Sequence, residues 1–145
     1  MNIRYEIDEL VDASDDQLER LHYYPNFFQS PHSSAIELSQ LLSQVTPKKF
    51  DHTFCANSGS ESANTVVRLA RFYWNLLGHP RKRIIINRKN SYHGSTVTTE
   101  RLSGMSYMHL QGVLPIPEID YIEQPYWYKK GDNQNQRNFG KDIAR

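Results

Sequence analysis

Residues 53–86, TFCANSGSESANTVVRLARFYWNLLGHPRKRIII, decide the fold class. Thr53-Phe54-Cys55-Ala56 is short, apolar and β-prone, which predicts a buried strand. Ser58-Gly59-Ser60-Glu61 follows directly. Ala63, Val66, Val67, Ala70, Tyr73 or Trp74, and Leu77 then recur at helical spacing. Gly78 stands where a helix closes in the left-handed conformation, with Pro80 just beyond. Ile84-Ile85-Ile86 predicts the next strand. Strand, turn, helix and strand, joined by a connection long enough for a right-handed crossover, predict an α/β fold with a mostly parallel sheet flanked by helices.

Upstream, Ser14-Asp15-Asp16-Gln17 has the form of a capping box, with Leu18 and Leu21 behind it and Pro25 as a stop. Ser34-Ala35-Ile36-Glu37 is a second such box. Leu38, Leu41, Leu42 and Val45 follow at the spacing of one buried helix face, and Pro47 ends it. Downstream, a short helix is predicted over residues 95–103 with Gly104 as its cap, and a third strand over residues 119–123. Residues 127–138 have the polar composition of an exposed loop, and a helix is predicted to begin at Phe139. The organisation expected is an N-terminal helical segment over residues 1–50, part of an α/β domain over residues 51–125, and a polar loop with the start of a helix over residues 126–145.

Composition bounds the function. A chain of 145 residues with 38% hydrophobic and 23% charged residues has the make-up of a soluble globular domain. Its mean hydropathy of -0.70 agrees. The net charge of +1 offers no basic face for nucleic acid, and Arg81-Lys82-Arg83 reads as a solvated turn. Charges spread through residues 1–20 argue against a signal peptide, and no apolar run reaches membrane-spanning length. The single cysteine, Cys55, excludes an internal disulfide and predicts a reducing, cytoplasmic setting. On a buried strand it would pack rather than react. The six histidines lack metal-ligand spacing, so no metal is expected.

Two motifs can carry chemistry. An anion at Ser58-Gly59-Ser60-Glu61 would meet unsatisfied N–H groups, the positive end of a helix dipole and two hydroxyls. Gly59 would let the backbone approach a phosphate closely. The same four residues also make an ordinary capping box, and the two readings are compatible. The second motif, Ser91-Tyr92-His93-Gly94-Ser95, follows the Ile84-Ile85-Ile86 strand. Ligands of open α/β sheets bind beyond the carboxyl ends of strands, so both motifs are expected to line one groove. Tyr92 could cover a flat ligand and His93 could donate or accept a hydrogen bond, although an aromatic and a histidine in a loop are also common structural residues. Tyr126-Trp127-Tyr128 with Lys129-Lys130 has the look of a stacking surface for single strands, which the near-neutral charge argues against.

The stretch from Phe54 to Asn64, continuing through Arg68-Leu69-Ala70-Arg71, resembles the class III aminotransferases that depend on pyridoxal 5'-phosphate (PLP). Tyr92-His93-Gly94-Ser95-Thr96 and Leu102-Ser103-Gly104-Met105 resemble the same family. Tyr23-Tyr24-Pro25-Asn26-Phe27-Phe28 with Glu37-Leu38 is similar to its ω-amino-acid:pyruvate branch. The resemblance spans about residues 14–125, with both motifs in the family's order and spacing. It implies part of the large domain of a fold-type I PLP-dependent transferase. Ser58, Gly59 and Ser60 would hold the PLP phosphate, Tyr92 would stack on the pyridine ring with His93 nearby, and Phe27 and Phe28 would belong to a segment reaching the substrate pocket. Ser62 departs from the family's usual alanine at little cost in size.

The implied reaction transfers an amino group from an ω-amino acid or amine to pyruvate or another 2-oxo acid, in a homodimer. That chemistry needs a lysine bound to the cofactor and an acid paired with the pyridine nitrogen. In the family both lie C-terminal to the tyrosine-histidine-glycine motif. Lys129, Lys130 and Lys141 lie in a polar tail, while Lys48, Lys49, Lys82 and Lys89 fall in the wrong part of the fold. Asp8-Glu9-Leu10 precedes the phosphate loop and does not match the acidic signature. The chain is therefore expected to carry the cofactor-phosphate half of a site and to be inactive alone. A non-catalytic product that binds a phosphate ligand or a partner chain is the alternative.

Overall fold

A computed structural model describes residues 5–25, 30–112 and 116–144. Contacts along the chain divide it into two compact units, Met1–Cys55 and Ala56–Arg145.

The first unit holds α1 (Asp8–Arg20) and α2 (Ser33–Val45). Asp8 and Glu9 occupy the first turn of α1 and Arg20 the last, complementing the helix dipole at both ends. Ser14 therefore lies inside the helix rather than at its start. Its hydroxyl donates back to the Leu10 carbonyl at 2.6 Å, and the Gln17 amide donates forward to the Leu21 carbonyl at 2.9 Å. The cap of α2 likewise lies earlier than the sequence suggests, by two residues: His32 Nδ1 accepts from the Ser34 N–H at 3.0 Å. Helix α2 ends before Pro47, where Thr46 bonds the Leu42 carbonyl through its hydroxyl. The expected buried face is a correction, since Leu41 is 59% and Val45 80% exposed. Periodicity specifies which residues share a face, not what covers that face.

The predicted strand at residues 53–56 is also corrected. That segment carries no strand, Phe54 is 69% exposed, and Cys55 is exposed rather than packed. β-propensity records how well a residue fits an already paired, half-buried surface, and among the described residues nothing pairs here.

The second unit runs α3 (Gly59–Leu76), β1 (Ile85–Arg88), α4 (Val97–Leu102), α5 (Ser106–His109), β2 (Ile119–Ile122), α6 (Trp127–Lys130) and α7 (Gln136–Ile143). Strands β1 and β2 pair in parallel, Ile85 opposite Ile119 and Arg88 opposite Ile122. Val67 of α3, Leu102 of α4 and Ile119 of β2 form the core, with Ala63, Ile85, Ile116 and Tyr121 packed on it. Helix α3 ends as its sequence predicts, with Gly78 at φ +75. The turn after it is exposed, and the Lys82 ammonium sits 3.3 Å above the Trp74 ring. Residues 127–138 are not the plain loop expected from their polarity. Trp127 Nε1 donates to the Gln134 carbonyl at 2.8 Å, and the Asn135 side chain caps α7 by accepting from the Asn138 N–H at 2.9 Å. Among the described residues no helix is long and apolar enough to cross a membrane, and no cluster of three His, Cys, Asp or Glu could hold a metal.

Candidate functional site

Ser58 is extended, and from there its short polar side chain can turn back on the helix it starts. Its hydroxyl accepts from the Glu61 N–H at 3.2 Å and its carbonyl accepts from the Ser62 N–H at 3.0 Å. The Glu61 carboxylate reaches back to the Asn57 N–H at 2.8 Å, one residue beyond the usual partner in a capping box. These bonds satisfy the third and fourth N–H groups of α3. The first two, on Gly59 and Ser60, have no helical acceptor and no other hydrogen-bond partner among the described residues. A Cβ on Gly59 would meet nothing within 4 Å, so the space beside this turn is open.

The second motif is held against this turn. After β1 the chain reverses through Asn90, which has φ 62, and is fastened to Gly104 by two backbone bonds of 2.9 Å involving Asn90 and Ser91. The His93 N–H donates to the Ser103 hydroxyl at 2.9 Å, which donates in turn to the Thr99 carbonyl at 2.8 Å. Both Ser103 and Thr99 are fully buried, so these hydroxyls replace water for the backbone groups around them. The Ser95 N–H donates to Ser60 Oγ at 3.2 Å, and Asn64 Nδ2 donates to Thr96 Oγ1 at 2.9 Å. Gly94 lies where the two motifs meet. At φ +130 it has a conformation that L side chains rarely adopt, and a Cβ would run into Ser60 Oγ and sit 2.7 Å from Thr99 Oγ1.

Ser58, Gly59 and Ser60 thus share one helix start, and Tyr92 and His93 precede the residues bonded to it. Tyr92 is 60% exposed. His93 is exposed, with Nε2 2.9 Å from Asn87 Oδ1. Phe27 and Phe28 lie outside the described residues. Sequence reasoning quoted Asn64, Gly94, Thr96 and Ser103 within the motifs without their joining role, and missed Asn87 and Thr99. One signal was available, a lone polar Asn87 directly after the Ile84-Ile85-Ile86 run.

The α3 dipole and the neutral donors of its first turn suit a phosphate, while the Glu61 carboxylate in the same turn is turned back onto the Asn57 N–H. The nearby lysines are otherwise engaged. Lys130 and Lys89 both pair with Glu123, the former at 2.8 Å, and hold its carboxyl down at about 2 by hydrogen bonding to it, Lys130 most strongly. Burial pushes the Tyr121 hydroxyl above its ordinary range, opposed by the Arg101 charge. The donor set fits a phosphate monoester such as that of PLP: paired N–H groups next to open space, a hydroxyl beside them and an aromatic ring close in sequence.

The family model of aminotransferase class-III matches residues 1–144. Among curated proteins, the chain is 43% identical over 140 residues to a putrescine–pyruvate aminotransferase of Pseudomonas aeruginosa, covering 97% of this chain and 31% of that relative. It is 38% identical over 123 residues to a probable mitochondrial γ-aminobutyrate transaminase 2 of Oryza sativa subsp. indica, covering 84% and 25%. Among solved structures, an (S)-enantioselective ω-transaminase from Thermomicrobium roseum superposes with a TM-score of 0.89 at 28% identity, covering 97% of this chain and 31% of that one. A PLP-bound aminotransferase mutant from Vibrio fluvialis gives 0.88 at 31% identity, covering 97% and 31%. The chain spans about a third or less of the length of these relatives. Over that span, sequence and fold agree that this chain belongs to the class III aminotransferase family.

Proposed function

We propose that this chain carries the phosphate-binding and ring-stacking part of a PLP-dependent transaminase site. The parent enzyme moves an amino group from an ω-amino acid or amine to pyruvate or another 2-oxo acid. The observation that carries the reading is the start of α3, where two unpartnered N–H groups lie next to open space and a fastened loop. The donor and acceptor classes are supported by the 43% identity to a putrescine–pyruvate aminotransferase.

In this reading Gly59 and Ser60 donate their N–H groups to phosphate oxygens, and the α3 dipole adds about 0.3–1 kcal/mol. Ser60 Oγ accepts from Ser95 and keeps its own proton to donate. Ser58 holds the turn in register by capping it. The exposed Tyr92 covers one side of a pyridine ring. The chemistry supplied by PLP, when bound, is that of an electron sink at the carbon bearing the amino group. None of the lysines of this chain takes the part of the cofactor-bound lysine in this reading, and the chain alone turns nothing over. Residues 51–125 form the cofactor-binding part of the large domain. A homodimeric, cytoplasmic parent belongs to the same proposal, supported by the family and by the lone thiol.

The test is a titration of isotope-labelled chain with PLP, read on backbone amide resonances. Gly59 and Ser60 are expected to move first and furthest. If they stay still while distant amides move, the phosphate site is elsewhere. Formation of alanine from pyruvate and an amine by the purified chain would overturn the inactivity of the chain alone.

A further inference from the structure

We propose that Asn87 is a positioning residue that fixes His93 in its Nε2–H tautomer, so that His93 meets a ligand with an accepting Nδ1. The functional meaning rests on the cofactor reading above, whereas the tautomer rests on the geometry of β1 and its neighbours alone.

Asn87 is half-buried on β1, and its neighbours decide which way round its amide lies. Nδ2 donates to the Leu102 carbonyl, a group that can only accept. Oδ1 accepts from the Arg88 N–H at 3.0 Å, a group that can only donate. Turning the amide over would set oxygen against oxygen and N–H against N–H, so both neighbours select one orientation. That orientation aims Oδ1 at His93 Nε2 across 2.9 Å. An amide oxygen carries no proton, so Nε2 must supply it. The Ser91 hydroxyl, 3.5 Å from Oδ1, does not compete, because its proton goes to the Arg88 carbonyl at 2.6 Å. In the neutral ring the lone pair then resides on Nδ1, which has no hydrogen-bond partner among the described residues.

The backbone of His93 is tied to the same place as its ring. The His93 N–H bonds Ser103, and the Asn87 amide that orients the ring bonds Leu102 next to it. The end of α4 thus fixes main chain and side chain together. The chemical consequence is a division of labour. Oxyanions are served by the N–H groups of Gly59 and Ser60. His93 instead selects a group that brings its own proton, such as a hydroxyl, an ammonium or a protonated ring nitrogen.

The tautomer is read on the chain without ligand, from long-range proton–nitrogen correlations of His93 in alkaline buffer, where neutral imidazole is observed. Nε2 is expected in the protonated range and Nδ1 in the unprotonated range. Asn87→Ala should raise the Nδ1–H population about tenfold, the worth of one hydrogen bond. Asn87→Asp keeps an accepting oxygen towards His93 and should restore the Nε2–H form even though its bond to Leu102 is lost. A purely structural role for Asn87 would move the amides of Ser91 and Gly104 in both variants and leave the tautomer ratio alone. A wild-type Nδ1–H ring, or an unchanged ratio in Asn87→Ala, overturns the proposal. Addition of inorganic phosphate should shift Gly59 and Ser60 without moving Nδ1, and a shift of Nδ1 to the protonated range overturns its accepting role. Failure of PLP to move Gly59 and Ser60 sinks the cofactor reading and leaves the tautomer standing.

Discussion

The two ends of α3 obey different rules. Its first half is small and polar, yet Ser60 bonds Ser95, Asn64 bonds Thr96, and Val67 enters the core, whereas the second half is tied through one polar side chain, Arg71, to the Arg83 and Pro117 carbonyls. Its second half is rich in large apolar residues, yet Phe72, Tyr73 and Leu76 are exposed, Leu76 at 68%. Among the described residues, the most fully buried side chains are those of Thr99 and Ser103, each ending in a hydroxyl. Around this site, burial follows closure of a hydrogen-bond network, and a count of apolar residues would have pointed to the wrong end of the helix.

The largest expected effect comes from two glycines that bracket this network. Gly94→Ala forces a side chain into a positive-φ position against Ser60 and Thr99, and should cost about 3 kcal/mol in urea unfolding. Gly59→Ala has open space and better helix propensity, so its stability should hold or rise by about 0.5 kcal/mol while phosphate affinity falls. Equal stability losses in both variants would break the contrast. Ser103→Ala leaves the His93 N–H without its acceptor, and should cost about 1–2 kcal/mol with faster amide exchange at His93.

A smaller effect tests the periphery of the unit. The ion pairs of Glu123 lower its pKa from 4.5 to about 2, so their contribution is present above the ordinary carboxylate pKa and is lost as pH falls through about 2. A carboxyl NMR titration should show this low midpoint, and Lys130→Met should raise it towards the ordinary value. The smallest effect is expected on the exposed half of α3. Leu76→Ala should change stability by no more than about 0.5 kcal/mol, and a cost of several times that would show the face to be covered in solution.

The order of strand, helix and parallel strand was partly legible because helical spacing and the Ile84-Ile85-Ile86 run are local signals. Helix α3, its Gly78 stop and both strands of the pair appear within a residue or two of expectation. Local signals also misled. Ser-x-x-Gln at residues 14–17 mimics a helix start, but the acidic pair Asp8-Glu9 has the stronger claim on the dipole. The strand expected at residues 53–56 failed because strands exist only by pairing. At the candidate site the motifs could be read, but their joints could not. The Ser60–Ser95 bond spans 35 residues of chain, and no periodicity reports that Gly94 must be bare to allow it.

Parallel pairing of β1 with β2 has a kinetic consequence. Bringing Ile85 to Ile119 closes a loop of roughly 30 residues, an entropic cost of about 3 kcal/mol that must be met before the ladder returns anything. The bonds between Asn90, Ser91 and Gly104 close a much shorter loop inside it and can form first. The clasp around Gly104 is thus placed to act early, so weakening it should slow refolding more than it hastens unfolding.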